Sequence, residues 1–116
     1  MTAPALSTLP ARLRSMVEEL ASIPDLEEKY DVLIEMGREV PDISMDRKTE
    51  SCLVHGCQSL VHVYAERGAE GHLVLRGHAD ALIVNGLLAL LVLGLDGLTP
   101  EQFLAVDPHF IEATGV

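Results

Sequence analysis

The sequence contains no tryptophan, and its only aromatic rings are Phe103, Phe110, Tyr30 and Tyr64. A core made from this chain must therefore come from Leu, Val, Ile, Ala and Met. Basic side chains are also scarce. Eight Lys and Arg stand against 18 Asp and Glu, a formal charge of −10, and beyond residue 50 only Arg67 and Arg76 are basic apart from histidines. Such a field repels phosphate backbones, and no Lys/Arg cluster or aromatic platform offsets it. Nucleic acid and anionic membrane are not expected as partners; a basic patch on another protein suits the charge better, and plain solubility accounts for the acidity equally well. Long apolar runs are missing too. The most apolar stretch, residues 81–95, is interrupted by Asn85 and Gly86 and is shorter than the roughly 20 residues a bilayer needs.

Cysteine is limited to Cys52 and Cys57, five positions apart. The N-terminus, Met1-Thr2-Ala3-Pro4-Ala5-Leu6, has no basic stretch followed by an apolar one, so no export signal is expected. A reducing cytoplasm with free thiols follows as the expectation, rather than a structural disulfide. Gly-x-Ser-x-Gly, His-Glu-x-x-His, paired catalytic carboxylates and phosphate-binding glycine loops are all absent, which removes the common hydrolase, zinc-protease and nucleotide-binding patterns.

What is present suffices for one domain. The 116 residues are 48% hydrophobic, enough for a single core over 1–116, with 1–6 a loose start. Ser7 or Thr8 is placed to cap a first helix with Pro10 in its opening turn, and Leu9, Leu13, Met16, Val17 and Leu20 form its apolar stripe. Pro24 stops it. Asp25 and Glu28 have capping-box spacing for a second helix, which carries Leu26, Tyr30, Leu33 and Ile34 and ends near Gly37. The two are expected to pack as an antiparallel pair, with Tyr30 in the core or at its rim.

Residues 38–56 lose all periodicity, and so long a loop in a small domain is often functional. Residues 58–66 then alternate, with Leu60, His62 and Tyr64 on one face and Val61, Val63 and Ala65 on the other, which predicts a strand. Gly68–Gly71 is a turn and 72–76 the returning strand of a hairpin, Leu73 and Leu75 sharing a face, with Gly77-His78-Ala79 as a link. Asp80 is placed to cap a helix from Ala81 to about Leu93, with Gly94 as its stop; being apolar all round, it should be buried. Thr99-Pro100-Glu101-Gln102 reads as cap, first-turn proline and capping-box glutamine of a last short helix. Phe103, Leu104, Val106, Phe110 and Ile111 can close the core. The fold class is α+β: a small antiparallel, hairpin-based sheet packed against a helical layer with one long buried central helix.

The chain's chemistry centres on Val54-His55-Gly56-Cys57-Gln58-Ser59-Leu60-Val61. Cys57 falls where the loop meets the strand, and Gly56 lacks a Cβ, so another chain can approach closely there. His55 or His62 would favour the thiolate, and no acidic side chain falls between Glu50 and Glu66 to oppose it. Two other readings stand beside a reactive thiol. In one, Cys57 is simply a small buried apolar residue, as most free cysteines are. In the other, Cys52, His55, Cys57 and His62 offer zinc-type ligands for a small metal-binding or regulatory domain, although their spacing is not that of paired ligand knuckles. Cys52 by itself is a loop residue or a resolving thiol. His72 and His78 are weak signals.

At Gly56-Cys57-Gln58-Ser59 the sequence resembles the SufE family, sulfur acceptors of iron–sulfur cluster assembly. Leu26-Glu27-Glu28-Lys29-Tyr30 with Leu33-Ile34 and Gly37 resembles the family's second helix. Gly77 through Ala81, with Ile83-Val84 and Gly86-Leu87, resembles the opening of its long central helix, and Leu98-Thr99-Pro100 the start of the next. The resemblance implies an α+β fold and a sulfur-carrier role. Cys57 would accept persulfide sulfur from a cysteine desulfurase and pass it to an iron–sulfur cluster scaffold, stimulating the desulfurase. It implies no cofactor here beyond that transient persulfide, since the pyridoxal phosphate belongs to the desulfurase. His55, Gly56, Gln58 and Asp80 would serve loop and partner contacts, with Asp80 matching an acidic family position. The chain departs from the family's pattern at His62, where a tryptophan is usual, and at Asn85, where a basic residue is usual. It also stops at Val116, before the family's C-terminal segment.

Overall fold

The structure, a computed structural model, describes residues 6–41, 43, 45, 48, 52–54 and 60–116. Helices α1 (Ala11–Ala21) and α2 (Leu26–Arg38) are followed by the hairpin β1 (Val61–Arg67) and β2 (Leu73–Ala79). Then come α3 (Leu82–Leu95) and α4 (Pro100–Leu104), with 3₁₀ turns at Leu6–Thr8, Ala69–Gly71 and Pro108–Thr114. This is the α+β arrangement expected, with a two-stranded antiparallel sheet.

Helix α3 lies between the sheet and the α1–α2 layer, and glycines permit both contacts. A Cβ on Gly77 of β2 would sit 2.9 Å from Leu88 Cδ2, one on Gly94 would sit 2.8 Å from Leu13 Cδ1, and one on Gly86 would run into the Leu33 carbonyl oxygen of α2. Such approaches are below van der Waals contact, so the small residues set how closely α3 packs. Leu13, Val17, Leu20, Leu33, Leu90 and Val92 are fully enclosed between these layers. The expected pairing of α1 with α2 is replaced by a looser one: each packs chiefly on α3 and little on the other.

The hairpin register sets Val61 opposite Ala79, His62 opposite His78, Val63 opposite Gly77 and Tyr64 opposite Arg76. Val61, Leu75, Gly77 and Ala79 face α3 and are buried. Gly77-His78-Ala79, expected as a link, is therefore strand. The outer edge of β2 is closed one N–H at a time. Leu73 N donates to Leu98 O (2.7 Å) and Gly77 N to Pro41 O (3.5 Å). Leu75 N donates to Asp96 Oδ1 (2.8 Å) and Ala79 N to Asn85 Oδ1 (3.1 Å). A strand edge satisfied in this way offers no template for pairing with another chain.

Several helix ends differ from expectation. The residue before α1 is Pro10, and Ser7 and Thr8 lie in the preceding 3₁₀ turn. Asp25 does precede α2, but its carboxylate makes no capping bond among the described residues. Gly37 is inside α2, where its role is close approach to Gly86 rather than termination. The residue before α3 is Ala81, because the Asp80 carboxylate is engaged elsewhere. Gly94 is interior to α3, and the left-handed residue after the helix is Gly97 (φ +84°). The Thr99–Gln102 capping box forms as read. Tyr30 sits at the rim of the core, whereas Leu104 is 82% exposed and contributes nothing to it. Helix α3 is mostly buried but leaves Leu82, Ile83 and Leu91 open to solvent.

Candidate functional site

His55, Gly56, Cys57 and Gln58 lie outside the described residues, so the site is built from the positions that flank them. On the N-terminal side, Leu53 bridges His62 in antiparallel fashion and Val54 N donates to Val61 O at 2.8 Å. This adds a rudimentary third strand to the edge of β1 away from β2. On the C-terminal side, Asp80 N donates to Leu60 O at 3.2 Å, and Leu60 N donates to Asp80 Oδ1 at 3.0 Å. The Leu60–Asp80 rung thus extends the hairpin one step past Val61–Ala79, with a side-chain oxygen as one acceptor. In sequence, residues 55–59 connect Val54, which is bonded to β1 at Val61, with Leu60, which is bonded to Asp80 just past the end of β2.

Asp80 is held in place by the chain behind it. Asn85, in the first turn of α3, accepts from Ala79 N through Oδ1 and donates from Nδ2 to Gly37 O at 2.9 Å. Asn85 is therefore a hydrogen-bonded junction of β2, α2 and α3. Sequence reasoning missed this role, and that of Asp96. The available signal was the edge-strand rule: the outward N–H groups of β2 need acceptors, and polar residues next to an apolar helix are the nearest supply.

Val54 also lines an apolar groove of about 390 Å³, together with Val61, Val63, Leu87, Leu91 and Phe110 among others. Val54, Leu60 and Leu82 are 43%, 58% and 63% exposed, an apolar surround to the segment's two ends. Cys52 is a free, half-buried thiol. His62 stands opposite His78 across the hairpin. Among the described residues no three His, Cys, Asp or Glu side chains are grouped to hold a metal ion. The carboxyl of Asp107, at the head of the last 3₁₀ helix, titrates below the ordinary aspartate value of 3.8, because it accepts from the backbone and then the ring of His109. No helix among the described residues is long and apolar enough to cross a membrane.

The pattern of the SufE family, described as an Fe-S metabolism associated domain, matches residues 14–116. An uncharacterised SufE-like protein of Synechocystis sp. is 37% identical over 112 residues, spanning 97% of this chain and 70% of that protein. The solution structure of a hypothetical protein from Thermus thermophilus superposes with a TM-score of 0.75 at 32% identity, over 92% of this chain and 77% of the other. With a family pattern running through nearly the whole chain and a relative of this identity, the chain belongs to the SufE family, associated with Fe–S metabolism.

Proposed function

We propose that this protein is a sulfur carrier that accepts persulfide sulfur on Cys57 from a cysteine desulfurase and delivers it to an iron–sulfur cluster scaffold in the cytoplasm. The observation that carries the reading is family membership, with Gly56-Cys57-Gln58-Ser59 lying between the two anchored positions, Val54 and Leu60. In the transfer, the Cys57 thiolate attacks the terminal sulfur of the desulfurase persulfide. One S–S bond forms on Cys57, the desulfurase S–S bond breaks, and the electron pair leaves with the desulfurase thiolate. A thiol and a persulfide exchange places, so no external oxidant or reductant is consumed. Handing the sulfur on to the scaffold repeats the exchange. The reaction needs no resident cofactor, and unloading the persulfide frees the desulfurase for its next turnover. Asp80, through the Leu60 rung, serves the placement of the segment.

The test is mass spectrometry after incubation with a cysteine desulfurase, pyridoxal phosphate and cysteine. The wild type gains the mass of one sulfur on the peptide containing Cys57, and Cys57→Ser gains none and fails to stimulate the desulfurase. Sulfur found on Cys52 instead overturns the assignment.

A further inference from the structure

We infer that Asn85 is a positioning residue for this transfer: its carboxamide sets the Leu60–Asp80 rung from which residues 55–59 depart. The inference rests on the sulfur-acceptor reading of Cys57 and deepens it. It begins with an N–H group that the fold cannot leave unpaired. The outward donors of β2 at Leu73, Leu75 and Gly77 are met by Leu98, Asp96 and Pro41. The last, at Ala79, is met by Asn85 Oδ1, reaching back from α3 at 3.1 Å.

The other end of the same amide has an equally defined target. Asn85 Nδ2 donates to Gly37 O, in the last turn of α2, a carbonyl that lacks a helical i+4 partner and accepts a second bond from Val40 N at 3.2 Å. Only one orientation of the amide meets both needs, because a flip would set donor against donor and acceptor against acceptor. The side chain cannot drift between them. Gly37 and Gly86 bring α2 and α3 together backbone to backbone, since a Cβ on Gly37 would lie 3.0 Å from Gly86 N. Asn85 is thus a short, two-handed link on a rigid seat.

What it holds is one residue from the site. Ala79 is followed directly by Asp80, whose N–H and carboxylate make both hydrogen bonds to Leu60, the first described position after the thiol segment. Leucine at 85 would keep the bulk and lose both bonds. Aspartate would keep the acceptor for Ala79 but set a carboxylate against Gly37 O. A separate link provides a control. Lys29 lies eight residues earlier on α2, about 12 Å along the helix axis, and donates to Leu20 O and Thr114 O, away from the hairpin.

The experiment compares wild type, Asn85→Leu, Asn85→Asp and Lys29→Met by two readouts. The first is the rate of Cys57 alkylation by iodoacetamide, with Cys52 in the same molecule as reference. The second is single-turnover sulfur transfer from a persulfide-loaded desulfurase, as a function of acceptor concentration. For Asn85→Leu the expected result is a change of about threefold or more in Cys57 alkylation relative to Cys52, from freer opening of the Leu60–Asp80 rung. Its maximal transfer rate should fall about tenfold with the half-saturating concentration unchanged, as misplacement of a reacting group predicts. Asn85→Asp falls between it and wild type, and Lys29→Met, although destabilised, matches wild type in both readouts. Unchanged alkylation and transfer in Asn85→Leu, or an equal loss in Lys29→Met, overturns the inference. A wild type that takes up no sulfur on Cys57 overturns the carrier reading instead, and the alkylation ratio still judges the positioning role.

Discussion

Leu60 and Asp80 exchange two hydrogen bonds across the open end of the hairpin, one to a backbone oxygen at 3.2 Å and one to a carboxylate oxygen at 3.0 Å. The carboxylate that the sequence assigned to a helix cap instead closes the strand pair beside the thiol segment. Removing it with Asp80→Ala leaves the Leu60 N–H to water at an exposed position, so the expected loss is about 1 kcal/mol. Asp80→Asn keeps an acceptor oxygen and loses less. Urea unfolding reads the stability, and faster amide exchange at Leu60 in Asp80→Ala but not at Leu75 localises the effect.

The two glycines of α3 that face the helical layer differ in what an added methyl meets. Gly86→Ala runs into backbone, the Leu33 carbonyl, and the expected cost is about 3 kcal/mol. Gly94→Ala meets Leu13, chiefly its rotatable Cδ1, and gains helix propensity, so its net cost is about 1 kcal/mol. Thermal unfolding of the two variants side by side checks the order, and equal costs would contradict this account of the packing.

Lys29 is 8% exposed and its ammonium donates to Leu20 O at 2.6 Å and Thr114 O at 2.8 Å, joining the end of α1 to the C-terminal 3₁₀ helix. Lys29→Met keeps the stem and strands both carbonyls. The expected destabilisation is about 2–3 kcal/mol, the range for hydrogen bonds from charged groups. Faster amide exchange at Phe110 and Thr114 should accompany it.

Acid should loosen the head of that last helix. The folded Asp107 carboxyl holds its proton less readily than the unfolded one, because His109 donates to its charged form. Its stabilising contribution is therefore present above the unfolded aspartate pKa, about 3.9, and is lost as pH falls from there through the lower folded value. Following the His109 amide resonance from pH 6 to pH 2 should show this transition, and Asp107→Asn should abolish it.

The legible parts of the fold were those governed by neighbours in sequence. The stripe Leu13, Val17, Leu20 buries as read, the Thr99–Gln102 box forms three residues apart, and the alternation after Leu60 is a strand. Reading failed where one residue type serves two purposes. An aspartate before an apolar helix looks like a cap, yet Asp80 faces a donor 20 positions earlier. A glycine late in a helix looks like a stop, yet Gly94 is a contact surface for Leu13. Family membership was legible through motifs such as Gly-Cys-Gln-Ser, while the hydrogen bonds that hold Leu60 and Asp80 were not.

The sequence by itself determined the α+β order of elements, the apolar central helix and membership of the family, because these depend on propensity and on motifs spaced within a few residues. Only the tertiary structure decided what Asp80, Asn85 and Asp96 do. These partners lie 20, 48 and 21 positions away, and which N–H or C=O each meets is known only once the strand has an edge and α3 has been laid between the sheet and α2.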